Sequence, residues 1–269
     1  MTRPLNGTVL CYPDRRAALR AGAAVAAGAL AAACGPGRRT AAPPAATGPA
    51  RPAASGPPPA APAPRAFPGQ PAEIAHGPRD RPRVALTCHG NGDPATARAV
   101  LAEAERAGAR LTVLAVGSWL DAHPELARRI LDGGHELGNH TQRHLDISAM
   151  PEADAYAEIT ACARRLRTLT GSIGTWFRPS RAQHATPLVR TLARRAGYPH
   201  VLSYDVDSLD FTSPGAAAVV RNATAAVRPG SVVSLHFGYT DTVDAMPALL
   251  DELARRGLRA VTTTELLTS

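Results

Sequence analysis

The chain has 269 residues, 45% of them apolar, and a formal net charge of +8, which is enough for one large or two small globular domains. The charge is unevenly placed: residues 1–82 hold ten arginines against Asp14, Glu73 and Asp80, whereas residues 83–269 hold 20 arginines against 19 acids, so the folding part is near neutral and offers no electrostatic footprint for nucleic acid. Lysine is absent, which excludes Schiff-base chemistry and a P-loop; there is no G-x-S-x-G elbow, and Cys11, Cys34, Cys88 and Cys162 form no C-x-x-C pair.

The N-terminus reads as an export signal over residues 1–34. Arg15-Arg16 is a twin-arginine pair, followed by an uncharged alanine-rich run over 21–33 that is too short to cross a bilayer as a helix. That run ends Leu30-Ala31-Ala32-Ala33-Cys34, which resembles a bacterial lipobox and implies a lipid anchor at Cys34. Residues 35–82 are rich in Ala and Pro without apolar periodicity, so they are expected to form a disordered or polyproline-like spacer.

From Arg83 the texture alternates. Strands are predicted over 84–88, 111–116, 135–138, 175–178, 200–204, 231–235 and 259–262, and helices over 94–107, 118–131, 151–169, 186–196, 215–227 and 243–256. About seven strand–helix units suit a parallel barrel or a doubly wound sheet. In such folds reactive side chains gather at the C-terminal ends of strands. His89, Asn91 and Asp93 follow the first strand; His140 and His144 the third; Arg178 the fourth; Asp205, Asp207 and Asp210 the fifth; His236 the sixth. His140 and His144 stand four residues apart, close enough on a turn or loop to share a cation. Asp205 and Asp210 read as structural, as do His123, His135, His184 and His200. Cys88 and Cys162 read as buried small apolar residues.

These motifs, in this order, resemble the polysaccharide deacetylases, the NodB-homology domain family (carbohydrate esterase family 4), over residues 83–269. His140-Thr141-Gln142-Arg143-His144 is similar to the family's H-[ST]-x-x-H metal pair and Phe177-Arg178-Pro179 to the start of its R-x-P-Y motif. Asp207-Ser208-Leu209-Asp210-Phe211 is similar to its D-x-x-D-W segment, and residues 231–236 to its strand ending in L-H. The resemblance implies a distorted (β/α) barrel of about seven parallel strands, preceded here by a disordered tail. It also implies a divalent metal, zinc foremost, and removal of acetyl groups from N- or O-acetylated cell-wall or extracellular glycans.

The first motif departs. The family's T-F-D-D-G places a general base and then a metal ligand; this chain reads Thr87-Cys88-His89-Gly90-Asn91-Gly92-Asp93. His89 is expected as the base, with Asp93, His140 and His144 on the metal; the alternative is His89 as third ligand and Asp93 as base. His236 is expected to protonate the leaving amine, held by Asp207, with Arg178 beside the base and favouring its neutral form. Ser180-Arg181 replaces the family's Pro-Tyr and Phe211 its Trp, so one aromatic wall of the sugar groove is missing. The chain is thus expected to be an exported, lipid-anchored monomeric deacetylase acting on an acetylated glycan. A non-catalytic glycan-binding relative and a hydrolase of small amides or esters are the alternatives.

Overall fold

The computed structural model describes residues 60–268. The export signal and residues 35–59 of the expected spacer lie outside the described residues. The centre of the fold is β2 (Arg83–Gly90), buried from Val84 to its end. A strand covered on both faces needs apolar side chains on both, hence the near-continuous apolar run. Val84, Leu86 and Cys88 face outward into the main core under the helices. Ala85 faces inward, and with the two-residue period of a strand Thr87 and His89 share that inner face.

Every strand pair is parallel. One edge of β2 carries β7 (Val232–His236), with β6 (Val206–Asp207) beyond it; the other carries β8 (Arg259–Val261) at its start and β3 (Thr112–Ala115) at its end, with β4 (Glu136–Asn139) beyond β3. β1 (Glu73–Ile74) pairs with β5 (Val201–Leu202) in a second sheet. Phe177 bridges Asn139 and Val201 in parallel and so links the two sheets. The result is a distorted, open (β/α) barrel. The strand predicted over 175–178 survives only as that bridge, because the chain leaves the wall at once to aim Arg178 inward. Helices α1 (Pro94–Arg106), α4 (Glu152–Thr170), α5 (Pro187–Arg195), α6 (Ala216–Ala225) and α7 (Thr240–Arg255) correspond to predicted ones. The helix predicted over 118–131 divides into α2 (Gly117–Ala122) and α3 (Glu125–Asp132) at Pro124, which has no N–H for the helix ladder. A terminal α8 (Thr263–Leu267), opened by a Thr262/Glu265 capping box, was not anticipated. No helix among the described residues is long and apolar enough to cross a membrane.

The folded part starts earlier than residue 83. Residues 60–82 lie against the barrel: Ala61 N–H donates to Thr170 O (2.9 Å), Ser172 Oγ to Pro62 O (2.7 Å) and Phe67 N–H to His200 Nε2 (3.0 Å). Phe67 stacks on Trp176 with ring centroids 5.4 Å apart, and Ile74 is fully buried. Two large apolar anchors in an otherwise Ala/Pro-rich stretch suffice to dock it, a signal that average composition hides. Phe67→Ala is expected to cost about 3 kcal/mol and lower the melting temperature by roughly 6–12 °C, measured by thermal denaturation. An unchanged melting temperature would mean that the strap contributes nothing to stability.

Candidate metal centre and active site

The strand ends converge as their positions require. His89 and His236 are register partners on β2 and β7, so their side chains project from the same face, and the rings stack with centroids 4.2 Å apart. His140 follows β4; its N–H donates to Ala115 O (2.9 Å), which continues the ladder and points the ring inward. The loop after it is bent: Thr141 has φ 68 and His144 φ 56. The left-handed region is unfavourable for non-glycine residues, and most of all for a β-branched one. Arg143 N–H and Nε donate to Glu158, Thr141 Oγ1 to Ser180 Oγ, and Gly117 and Ser118 N–H to the carbonyls of Thr141 and Gln142. Held this way, His144 folds back over His140, ring centroids 4.9 Å apart.

His89, His140 and His144 each offer a nitrogen, and the three lie within 4.8 Å of one another; among the described residues they form the one such His/Cys/Asp/Glu group. His140 Nδ1 lies 3.0 Å from Arg178 O. A carbonyl only accepts, so Nδ1 carries the proton and Nε2 offers its lone pair to the cluster. His89 Nδ1 is 2.8 Å from that Nε2, and His89 Nε2 is 3.1 Å from Ser234 Oγ. Arg178 is fully buried; its Nε and NH2 donate to Leu202 O (3.1 Å) and Ser203 O (2.9 Å), and NH1 stands 3.4 Å from His89 Nε2. Burial lowers its pKa to about 10, leaving it cationic at neutral pH. Burial first, then the neighbouring His140, His236 and Arg178, holds His89 well below the usual imidazole range. His140 is held down by burial and then His144, and His144 by burial and then Arg181. Three neutral imidazoles are what a late-transition metal requires of its ligands, so the residues fit such a cation.

Asp93 stands apart from the cluster, and Asp207 is near it in a different role. Asp93 is exposed and its carboxylate accepts from Ala95 N–H at 2.7 Å, so it caps α1 instead of joining the histidines. Pro94 fixes the start of α1 immediately after it. The preceding loop is pinned by Trp119 Nε1 donating to Gly92 O (2.8 Å) and by Gly92, whose φ is 104 and whose added Cβ would stand 2.4 Å from Gly238 Cα. Gly92→Ala is therefore expected to distort the loop or cost about 1–3 kcal/mol, read by chemical denaturation; wild-type stability would show that the loop is free to adjust. Asp207 does not hold His236. Its carboxylate accepts from Leu209 N–H (3.0 Å), whereas Asp210, fully buried, accepts from His236 Nδ1 (2.7 Å), His236 N–H (2.7 Å) and Thr242 Oγ1 (2.6 Å). Leu209, at φ 55, turns the chain so that the second acid of the pair, not the first, points inward. Asp205 is structural as expected, bound to Arg79 and the Val232 N–H.

The cluster opens into a cavity of about 330 Å³. His89, His144 and His236 line it together with Arg181, Tyr204, Asp207 and Phe211. Tyr204 lies over the Arg178 guanidinium, 5.3 Å from ring centroid to Cζ, and Phe211 is 44% exposed. Two aromatic faces thus line the groove although the usual Tyr position is Arg181. Tyr204 was not singled out from the sequence, where a tyrosine at the end of a strand carries no distinguishing signal.

A sequence profile described as polysaccharide deacetylase matches residues 76–201. A peptidoglycan-N-acetylglucosamine deacetylase of Bacillus cereus is 30% identical over 194 residues, spanning 71% of this chain and 90% of that protein. The chain belongs to the polysaccharide deacetylase family. Another family member, a chitooligosaccharide deacetylase of Bradyrhizobium sp., is 32% identical over 169 residues, 54% of this chain and 73% of its own. Among solved structures, a family 4 carbohydrate esterase pseudoenzyme from Bacillus anthracis superposes with a TM-score of 0.70 at 21% identity, covering 74% of this chain and 70% of that one. A peptidoglycan N-acetylglucosamine deacetylase in complex with a benzamide superposes with a TM-score of 0.68 at 24% identity, over 74% and 94%. At these identities the superpositions establish the fold.

Proposed function

We propose that this chain is a metal-dependent hydrolase that removes acetyl groups from an N-acetylated cell-wall or extracellular glycan. The observation that carries the reading is one cavity holding both a metal-competent histidine cluster and a carboxylate-backed histidine, His236 on Asp210. When bound, a cation such as zinc supplies Lewis acidity at the acetyl carbonyl and lowers the pKa of water. His140 and His144 would hold it. Asp210 holds the His236 Nδ1–H, so Nε2 can take the proton that water gives up as it forms the new C–O bond, then pass it to the departing amine nitrogen as the C–N bond breaks and acetate is released. Tyr204 and Phe211 offer the sugar ring apolar faces, and Arg178 keeps His89 neutral.

The test is acetate release from acetylated amino-sugar oligomers. Release that is abolished by chelator and restored by Zn²⁺ supports the reading, whereas no release with any divalent metal would sink it. The second reading, a domain that binds glycan without hydrolysing it, is favoured because, among the described residues, the cluster holds three histidines and no carboxylate. Retained glycan binding without release would establish it. The twin-arginine pair and the lipobox-like run before Cys34 support export and a lipid anchor on the outer face of the membrane.

A further inference from the structure

We infer that His89 is the third metal ligand, making an all-nitrogen His89–His140–His144 centre, and is not a general base. The inference rests on the metal-dependent reading of this site but not on the substrate. Among the described residues no carboxylate joins the cluster. Asp93 is committed to the N-cap of α1, and Gly90 carries no side chain, in a place where a Cβ would be tight at 3.0 Å from both Ala115 Cα and Val113 Cγ1. His89 Nδ1 is already 2.8 Å from His140 Nε2. Tetrahedral zinc at ~2.0–2.1 Å from each nitrogen sets its ligands ~3.3 Å apart, so small side-chain rotations admit the ion.

The surroundings suit a ligand. A metal-bound imidazole places its other N–H on an acceptor. For His140 that acceptor is Arg178 O, at 3.0 Å. For His89 it is Ser234 Oγ, at 3.1 Å from Nε2. With Nδ1 on the metal, the proton that bridges His89 to His140 moves to Nε2 and is received by the serine. Arg178 stays anchored through Nε and NH2 on two carbonyls, and only its long NH1 contact with His89 Nε2, at 3.4 Å, is given up when that nitrogen carries the proton. Replacing a carboxylate by an imidazole also changes selectivity. Neutral nitrogen ligands favour zinc, cobalt and copper over the oxygen-seeking Mg²⁺, Ca²⁺ and Mn²⁺.

Metal titration of the full chain, stripped with chelator, tests this by calorimetry with Zn²⁺ and by the visible absorption of Co²⁺. One ion per chain is expected, with no binding of Mg²⁺ or Ca²⁺ at millimolar concentration. His89→Ala and His89→Gln are expected to weaken Zn²⁺ binding by about 100-fold or more and to alter the Co²⁺ spectrum; Ser234→Ala is expected to weaken it by about 10-fold. Asp93→Ala should bind as wild type does. Circular dichroism of each stripped variant separates lost ligands from lost fold, and the two His89 variants provide alternatives should one not fold. Wild-type affinity and spectrum in folded His89 variants, or lost binding in Asp93→Ala, would overturn the assignment and leave the metal-dependent reading standing. No binding by the wild-type chain would overturn both. Zinc bound without acetate release would sink only the deacetylase reading.

Discussion

Asp210→Asn is expected to lower kcat for acetate release by about 10³–10⁴-fold, with KM little changed, as when the carboxylate behind a catalytic imidazole is lost. The carboxylate is fully buried and receives three donors, two of them from His236. An amide in its place puts an N–H against at least one of them. Turned toward Nδ1, it forces the other tautomer and leaves Nε2 of the neutral ring already protonated, unable to take up the proton it must pass to the amine. Turned away, it opposes the His236 N–H and the Thr242 hydroxyl, and leaving such buried donors unmet costs about 1–3 kcal/mol each. Asp207→Asn is the matched control, since Asp207 accepts from the Leu209 N–H beside Tyr204 and does not bond His236; less than about a 10-fold change is expected there. Steady-state kinetics on both variants, with folding checked by circular dichroism, decides the matter. A large loss in Asp207→Asn alongside a mild one in Asp210→Asn would restore Asp207 as the partner of His236.

That contrast shows where the sequence was legible. Strand ends were, because β2 and β7 are buried runs whose last residues, His89 and His236, must share a face once the strands pair in parallel. Arg178 and His140 were legible for the same reason. The choice between Asp207 and Asp210 was not: both lie in one D-x-x-D segment, and the left-handed turn at Leu209 that selects the second acid leaves no compositional trace. Asp93 misled because a carboxylate near a glycine-rich loop reads equally as a ligand and as a helix cap. Pro94 was the residue that favoured the cap. Residues 60–82 were assigned to the spacer because alanine and proline dominate their average, while docking depended on Phe67 and Ile74 alone.

The metal-free protein is expected to lose stability steeply as pH falls from about 6.5 to 5.5. His89 and His140 have folded pKa values held well below the ordinary 6.5, by burial first and then by neighbouring charged or imidazole groups. Above 6.5 both states are neutral at these rings and nothing is lost. Below it the unfolded chain binds protons that the folded chain refuses, so the unfolding free energy falls with pH, at up to ~1.4 kcal/mol per pH unit for each ring. Two rings make that up to ~3 kcal/mol per unit. His144 and His135, also lowered chiefly by burial, add in the same direction. Glu136 opposes them: burial raises its carboxyl above the ordinary 4.5, so the folded chain binds a proton there before the unfolded one does. Four depressed imidazoles outweigh that single carboxyl in the window near 6, where the imidazole reference lies. Zinc should reverse the trend at the upper end, where neutral rings let it bind and raise the melting temperature by mass action, and fail to do so at the lower end, where protons compete for the same nitrogens. Melting curves of the stripped and zinc-loaded chain across this range test both halves. A stripped chain whose melting temperature is flat, or rises, as pH falls through 6.5 would mean that the cluster accepts protons when folded. The rings would then not be held neutral and ready for a cation.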